Sequence, residues 1–163
     1  MSHESAPLGK PLIFLNELTS QMASDNFARS AKESSGPDPS APQTIAIVDD
    51  DPRIRKLLTE ELQDLGHTCA CFADGFELLD ISIPGPWALV LLDLMMPQMD
   101  GVECLKLLRA KGYDKPVLIF TALSDNDKRR EAELAGVDEY ILKPDLFDNL
   151  KEVIRRHLGV ERP

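Results

Sequence analysis

Polar side chains stand where short apolar runs end. Thr44-Ile45-Ala46-Ile47-Val48 leads into Asp49-Asp50-Asp51, Trp87 to Leu92 leads into Asp93, Val117-Leu118-Ile119-Phe120 leads into Thr121, and Tyr140-Ile141-Leu142 leads into Lys143. A strand buried on both faces offers no inexpensive place for a charge, because desolvating an unpaired carboxylate costs several kcal/mol. Asp93 therefore belongs at the open end of its strand, matched by cations. Asp49, Asp50 and Asp93 gathered in one pocket would repel each other and raise each other's pKa unless a cation sat between them. Carboxylates with a main-chain carbonyl and water form an oxygen-rich partial octahedron, which suits Mg²⁺ and leaves positions for phosphate oxygens. Lys143 adds a mobile point charge and Thr121 a hydroxyl donor, so the same pocket could hold a phosphoryl group. Asp93 would then be the nucleophile, attacking phosphorus in line to give an acyl phosphate.

The elements that must position these groups follow from the alternation of short β-branched runs with longer segments of helical period. Strands are predicted at 44–48, 67–71, 87–92, 116–120 and 138–141, and helices near 52–65, 74–81, 101–111, 125–135 and 145–158. Strand–helix repetition with right-handed crossovers gives a three-layer (βα)5 α/β domain, a doubly wound parallel five-stranded sheet. Gly66, Gly112 and Gly136 close helices, Pro84-Gly85-Pro86 breaks before the third strand, and Asp145 is placed to cap the fifth helix. In such a sheet, ligands bind beyond the carboxyl ends of the strands, where the strand order reverses.

The composition narrows the classes. The 163 residues carry net charge −10, and residues 44–163, with 23 acids and 15 bases, contribute −8 of it. An acidic domain repels phosphates, so no direct nucleic acid binding is expected. Cys69, Cys71 and Cys104 form no disulfide framework and no Cys-x-x-Cys, and are read as small buried apolar residues in a reducing compartment. No apolar run approaches the roughly 18 residues needed to span a bilayer, so no membrane insertion and a cytoplasmic location are expected.

Residues 31–43 hold three prolines, one glycine and three serines and read as a linker. It separates an N-terminal extension, residues 1–30, from a domain at 44–159 with a short tail at 160–163. In the extension, Phe14, Leu18 and Met22 recur at four-residue spacing, as on a possible amphipathic helix that would dock on this domain, on a second copy in a homodimer, or on a partner.

Val48-Asp49-Asp50-Asp51-Pro52, Leu91-Leu92-Asp93-Leu94-Met95-Met96-Pro97 with Met99-Asp100-Gly101, Phe120-Thr121-Ala122 and Asp138-Glu139-Tyr140-Ile141-Leu142-Lys143-Pro144 together resemble the receiver domain of two-component response regulators, over residues 44 to about 159. The resemblance implies a flavodoxin-like receiver fold, with Asp93 as phosphoacceptor and Mg²⁺ as cofactor. It makes Asp50 a direct Mg²⁺ ligand, has Asp49 act on the metal chiefly through water, and has Met95 offer its backbone carbonyl. It makes Thr121 and Lys143 the pair that senses the phosphoryl group, and Tyr140 the aromatic switch that turns inward as the threonine moves. Ile54 and Leu57 resemble the family's docking patch for a sensor histidine kinase or histidine phosphotransfer protein.

The resemblance is incomplete at three places. Gln98 replaces a common glycine, and Asp145 follows Lys143-Pro144 where an apolar residue is usual. Met95 and Leu123, two residues beyond Asp93 and Thr121, are apolar where the family controls access of water to the acyl phosphate, which implies slow self-dephosphorylation. His3, His67 and His157 are dispersed and none stands in a phosphohistidine motif, so the phosphoryl group should come from another protein. After Pro144 only nineteen residues remain, which leads us to expect a single-domain regulator or phosphorelay intermediate with output through contact with a protein target. It would not be an enzyme beyond its own phosphorylation and dephosphorylation. Two rival functions are a pseudo-receiver working without phosphorylation, which would lack Asp50, Asp93 or Lys143, and an aspartyl-nucleophile metal-dependent phosphatase, which would want an acid where Met95 stands.

Overall fold

The computed structural model describes Asp38, residues 41–80 and residues 85–159. The expected amphipathic helix at 1–30 and the tail at 160–163 lie outside the described residues, as does most of the linker. Five strands alternate with five helices: β1 (Thr44–Val48), α1 (Pro52–Asp64), β2 (Thr68–Phe72), α2 (Gly75–Asp80), β3 (Leu89–Asp93), α3 (Gly101–Ala110), β4 (Val117–Thr121), α4 (Asn126–Leu134), β5 (Glu139–Leu142) and α5 (Lys143–Leu158). All strand pairs are parallel and the sheet order is β2-β1-β3-β4-β5. The order reverses between β1 and β3, so the crevice expected of a doubly wound sheet opens beyond these two strands. Val48 pairs with Leu92, which brings Asp49 level with Asp93 at that crevice.

Alternate residues of each strand feed two apolar layers. Ala46, Val48, Val90, Leu92 and Ile119 pack with Leu78 of α2 and Leu105 and Leu108 of α3, while Ile45, Ile47, Leu89, Leu91 and Phe120 pack with Leu58 and Leu62 of α1 and Val153 and Ile154 of α5. Every residue of β3 and β4 is buried, at about 1.5–3 kcal/mol per large aliphatic side chain relative to exposure. This rigid slab holds the strand ends in fixed register.

Several expectations need correction. The third strand starts at Leu89 rather than at residue 87. Trp87 is instead a core side chain, edge-on to Phe72 at 5.6 Å, and its carbonyl accepts a hydrogen bond from Tyr113 Oη at 3.1 Å. The fifth helix starts at Lys143, and Asp145 does not cap it: the N-cap is Leu142, with no side-chain cap bond. Pro144 accounts for this, because its fixed φ and missing N–H suit a helix's first turn. Cys104 is buried, but Cys71 is exposed and Cys69 half-buried, because β2 is an edge strand. On α1, Leu58 and Leu62 are buried and Ile54 and Leu65 half-buried, whereas Glu61 is exposed.

The loop after β3 carries a local conflict. Gly101 N donates to Leu94 O at 2.9 Å, and a Cβ at Gly101 would lie 2.5 Å from Asp93 O, so the chain closes on itself only with glycine there. Three residues earlier Gln98 has φ +71°, the one positive φ of a non-glycine among the described residues. The left-handed region costs an L-residue about 1–2 kcal/mol. Gln98→Gly should raise the unfolding free energy by up to about 1 kcal/mol after the added flexibility of the unfolded chain is counted, measured by urea denaturation. An unchanged or lowered midpoint would show that Gln98 side-chain contacts outweigh the backbone cost.

Candidate functional site

The acidic pocket is assembled by strand ends and two helix starts. Asp49 follows β1 directly and is fully buried. Its Oδ1 accepts from Asp51 N at 2.8 Å, while Arg55 Nη1 donates to its carbonyl oxygen at 2.7 Å. Asp51 is the N-cap of α1, accepts from Arg53 N at 2.9 Å, and is held by the Arg53 guanidinium through Nη2 at 2.8 Å. Two arginines from the first turn of α1 thus pin both flanks of the acidic loop. Asp50 between them is exposed, and one oxygen from each of Asp49, Asp50 and Asp93 lies within 4.8 Å of the others.

Asp93 closes β3 and is 2% exposed. Its Oδ1 accepts from Met95 N at 3.3 Å and faces Lys143 Nζ at 3.5 Å. Lys143, at the first position of α5, also reaches Asp49 Oδ2 at 3.1 Å and lies 5.3 Å from the centre of the Phe120 ring. Thr121 ends β4 in full burial, and its Oγ1 accepts from Leu123 N at 3.4 Å. The sequence-predicted residues Asp49, Asp50, Asp93 and Lys143 therefore meet in one crevice, with Thr121 on the neighbouring strand end and Met95 in the adjoining loop. Met95 and Leu123 are 61% and 66% exposed.

Tyr140, Ile54 and Leu57 sit outside this cluster. Tyr140 pairs with Ile119, two positions short of the Thr121–Leu142 pair at the strand ends. It is buried, Arg129 lies 5.3 Å over its ring, and its hydroxyl has no hydrogen-bond partner among the described residues. Ile54 and Leu57 lie on α1, half-buried and exposed. The roles of Arg55 and Phe120 were not foreseen. Phe120 appeared as an ordinary strand residue, and Arg55 carried no signal beyond its place in the first turns of α1.

The electrostatics follow from burial. Desolvation, reinforced by Asp49, raises the Asp93 carboxyl to about 7, against the opposing pull of Lys143. Asp49 is also raised, chiefly by desolvation. For Lys143 desolvation works downward, but Asp93 and Asp49 together outweigh it and leave the ammonium raised. Asp49 Oδ2 is buried with no well-angled hydrogen bond, although Lys143 lies near. One cation for this many converging acid oxygens leaves the pocket short of positive charge. The donors are all oxygen, so the residues fit a hard divalent ion such as Mg²⁺.

The response regulator receiver domain family matches residues 45–155. The chain belongs to this family. Among curated relatives of this receiver domain, the response regulator MprA of Mycobacterium sp. (strain KMS) is 35% identical over 126 residues, 75% of this chain and 55% of its own. The chain spans about half the length of the curated relatives it matches. Among solved structures, the response regulator TrrA of Thermotoga maritima, in complex with Mg²⁺-BeF, is 37% identical with TM-score 0.63, over 70% of this chain and 97% of that one. The receiver domain of the sensor histidine kinase PA1611 of Pseudomonas aeruginosa, with a magnesium ion coordinated in its active site cleft, is 26% identical with TM-score 0.65, over 74% and 100%. Among the described residues of this receiver no helix is long and apolar enough to cross a membrane.

A carboxyl raised in the folded state binds its proton more tightly there than in the unfolded chain. Its contribution to stability therefore declines as pH rises from the ordinary carboxylate range to about 7, and is least favourable above that. Asp93→Asn should make the metal-free protein more stable than wild type by ~1–3 kcal/mol at pH 8, with the gap shrinking toward pH 4. Thermal melts across this range check it, and a gap that widens on acidification would contradict the charge assignment.

Proposed function

We propose that this receiver domain is a switch that takes a phosphoryl group onto Asp93 from a phosphohistidine of a sensor histidine kinase or phosphotransfer protein. The observation that carries the proposal is the convergence of Asp49, Asp50 and Asp93 on Lys143 at the sheet's topological switch point. Met95 N and Lys143 both face Oδ1, which leaves Oδ2 of Asp93 to attack phosphorus. The P–N bond to the donor imidazole breaks as the P–O bond forms, and the imidazole leaves with the electron pair. Lys143 meets the charge that develops on the phosphoryl oxygens, and Thr121 donates its hydroxyl to one of them.

Asp50 would hold Mg²⁺ directly, with Asp93 and the Met95 carbonyl, while Asp49 acts on it through water. Bound Mg²⁺ would neutralise charge on the acids and on the transferred group. The magnesium in the cleft of PA1611 and the Mg²⁺-BeF in TrrA support this assignment. Asp93 must lose its proton to bind the metal or to attack, so Mg²⁺ affinity should fall by up to about tenfold per pH unit below 7.

Tyr140 serves as the aromatic partner of Thr121. The output surface is the shallow groove lined by Arg129, Tyr140, Asp145, Asn149, Glu152 and Arg156, where a target protein would dock. Ile54 and Leu57 offer the donor protein an apolar contact. The acidic domain itself does not engage nucleic acid. The amides of Met95 and Leu123 bond to Asp93 and Thr121, which sets both residues next to the site, and their apolar side chains would offer attacking water no polar partner there.

Incubation with acetyl phosphate and Mg²⁺ followed by intact-mass analysis tests the proposal. One phosphoryl group should add to wild type and none to Asp93→Asn; an unmodified wild type would overturn the acceptor assignment and favour a module working without phosphorylation. Decay of the phosphorylated protein tests the lifetime. Met95→Asn and Leu123→Glu should hasten it, on the order of tenfold together, by admitting and orienting water. No acceleration in either variant would rule out a shielding role for these residues.

A further inference from the structure

Helix α4 is held by charge more than by apolar burial. Of its nine residues only Ala132 is buried, and Leu134 at its end is 85% exposed. Lys128 stands in its first turn, where the helix dipole disfavours a cation. The dipole therefore opposes a lysine there, and only its ion pairs favour it. Its Nζ lies 3.0 Å from Asp100 Oδ2 and 3.2 Å from Glu131 Oε2.

Asp100 is tied to the phosphoryl site through the backbone. It caps α3 with Oδ1, which accepts from Glu103 N at 2.9 Å, and this leaves Oδ2 to Lys128. The next residue, Gly101, donates its N–H to Leu94 O and lies against Asp93 O too closely for any side chain. A continuous run of short contacts thus leads from Asp93 through Gly101 and Asp100 to Lys128. Beside it, Arg129 Nη2 donates to Tyr140 O at 3.1 Å, tethering the same turn of α4 to β5.

We infer that Lys128 is a positioning residue of the switch, its ion pair with Asp100 coupling the loop after Asp93 to helix α4. The coupling to phosphorylation rests on Asp93 being the acceptor; the tether itself does not. The two side chains are 34% and 27% exposed, so the pair is weak enough to break when the loop rearranges. A contact of this strength biases a two-state equilibrium by a few-fold rather than locking it. Ordinary helix packing supplies little else to set the position of α4.

Native-state hydrogen exchange on the full chain tests this with wild type, Lys128→Gln, Lys128→Arg, Asp100→Asn and the Lys128→Gln/Asp100→Asn double variant. Asparagine still caps α3, so Asp100→Asn removes the ion pair without removing the cap. Exchange of backbone amides in residues 130–134 should rise on the order of fivefold in Lys128→Gln and in Asp100→Asn. The double variant should rise no further, Lys128→Arg should restore protection, and amides of β1 and β3 should be unchanged.

After treatment with acetyl phosphate and Mg²⁺, with occupancy read by intact mass, α4 exchange should respond less in Lys128→Gln than in wild type at equal occupancy. Unaltered α4 exchange in Lys128→Gln, additive effects in the double variant, or an equal response at equal occupancy would each overturn the inference. A wild type that takes up no phosphoryl group would refute Asp93 as acceptor. The untreated comparison would then decide the ion pair on its own.

Discussion

Three carboxylates at the mouth of an apolar parallel sheet form a constraint that organises the rest of the domain. β1 and β3 are buried to their last residues, so Asp49 and Asp93 emerge desolvated and side by side, and neither can relax into solvent. One ammonium, from Lys143, meets two of them. The site therefore stores an electrostatic imbalance that a divalent ion would relieve and that, under the proposed function, a phosphoryl group would redistribute. The fold maintains that imbalance because its two close-packed apolar layers fix the strand ends.

Supporting contacts keep the acids from escaping. Arg53 and Arg55 hold the loop after β1 from α1, Met95 N holds Asp93, and Gly101 lets the following loop close against the Asp93 carbonyl. Apolar anchorage is thinnest at α4: Ala132 alone of its nine residues is buried, and Lys128 and Arg129 tether it to Asp100 and to β5.

Much of this was legible in the sequence because strand period, strand ends and pocket chemistry coincide. The run at β3 is apolar up to Asp93, and the β1, β4 and β5 runs end near Asp49, Thr121 and Lys143, so placing the strands also placed the site residues. What escaped was set by tertiary contact rather than by local pattern. Trp87 looks like strand but is drawn into the core by Phe72 and Tyr113. Asp145 looks like a cap, but Pro144 moves the helix start ahead of it. Cys71 reads as buried until the strand order puts β2 at the edge. The strained Gln98, the grip of Arg55 and the cross-helix reach of Lys128 have no periodic signature.

The chemistry of the pocket depends most directly on the charge state of Asp93. Its carboxyl ¹³C titration, followed by NMR with and without saturating Mg²⁺, should give a midpoint at about 7 in the metal-free protein. With Mg²⁺ the midpoint should fall toward the ordinary carboxylate value of about 4, and Asp50→Asn should weaken that fall. A midpoint near 4 in the metal-free protein, unmoved by Mg²⁺, would contradict the account.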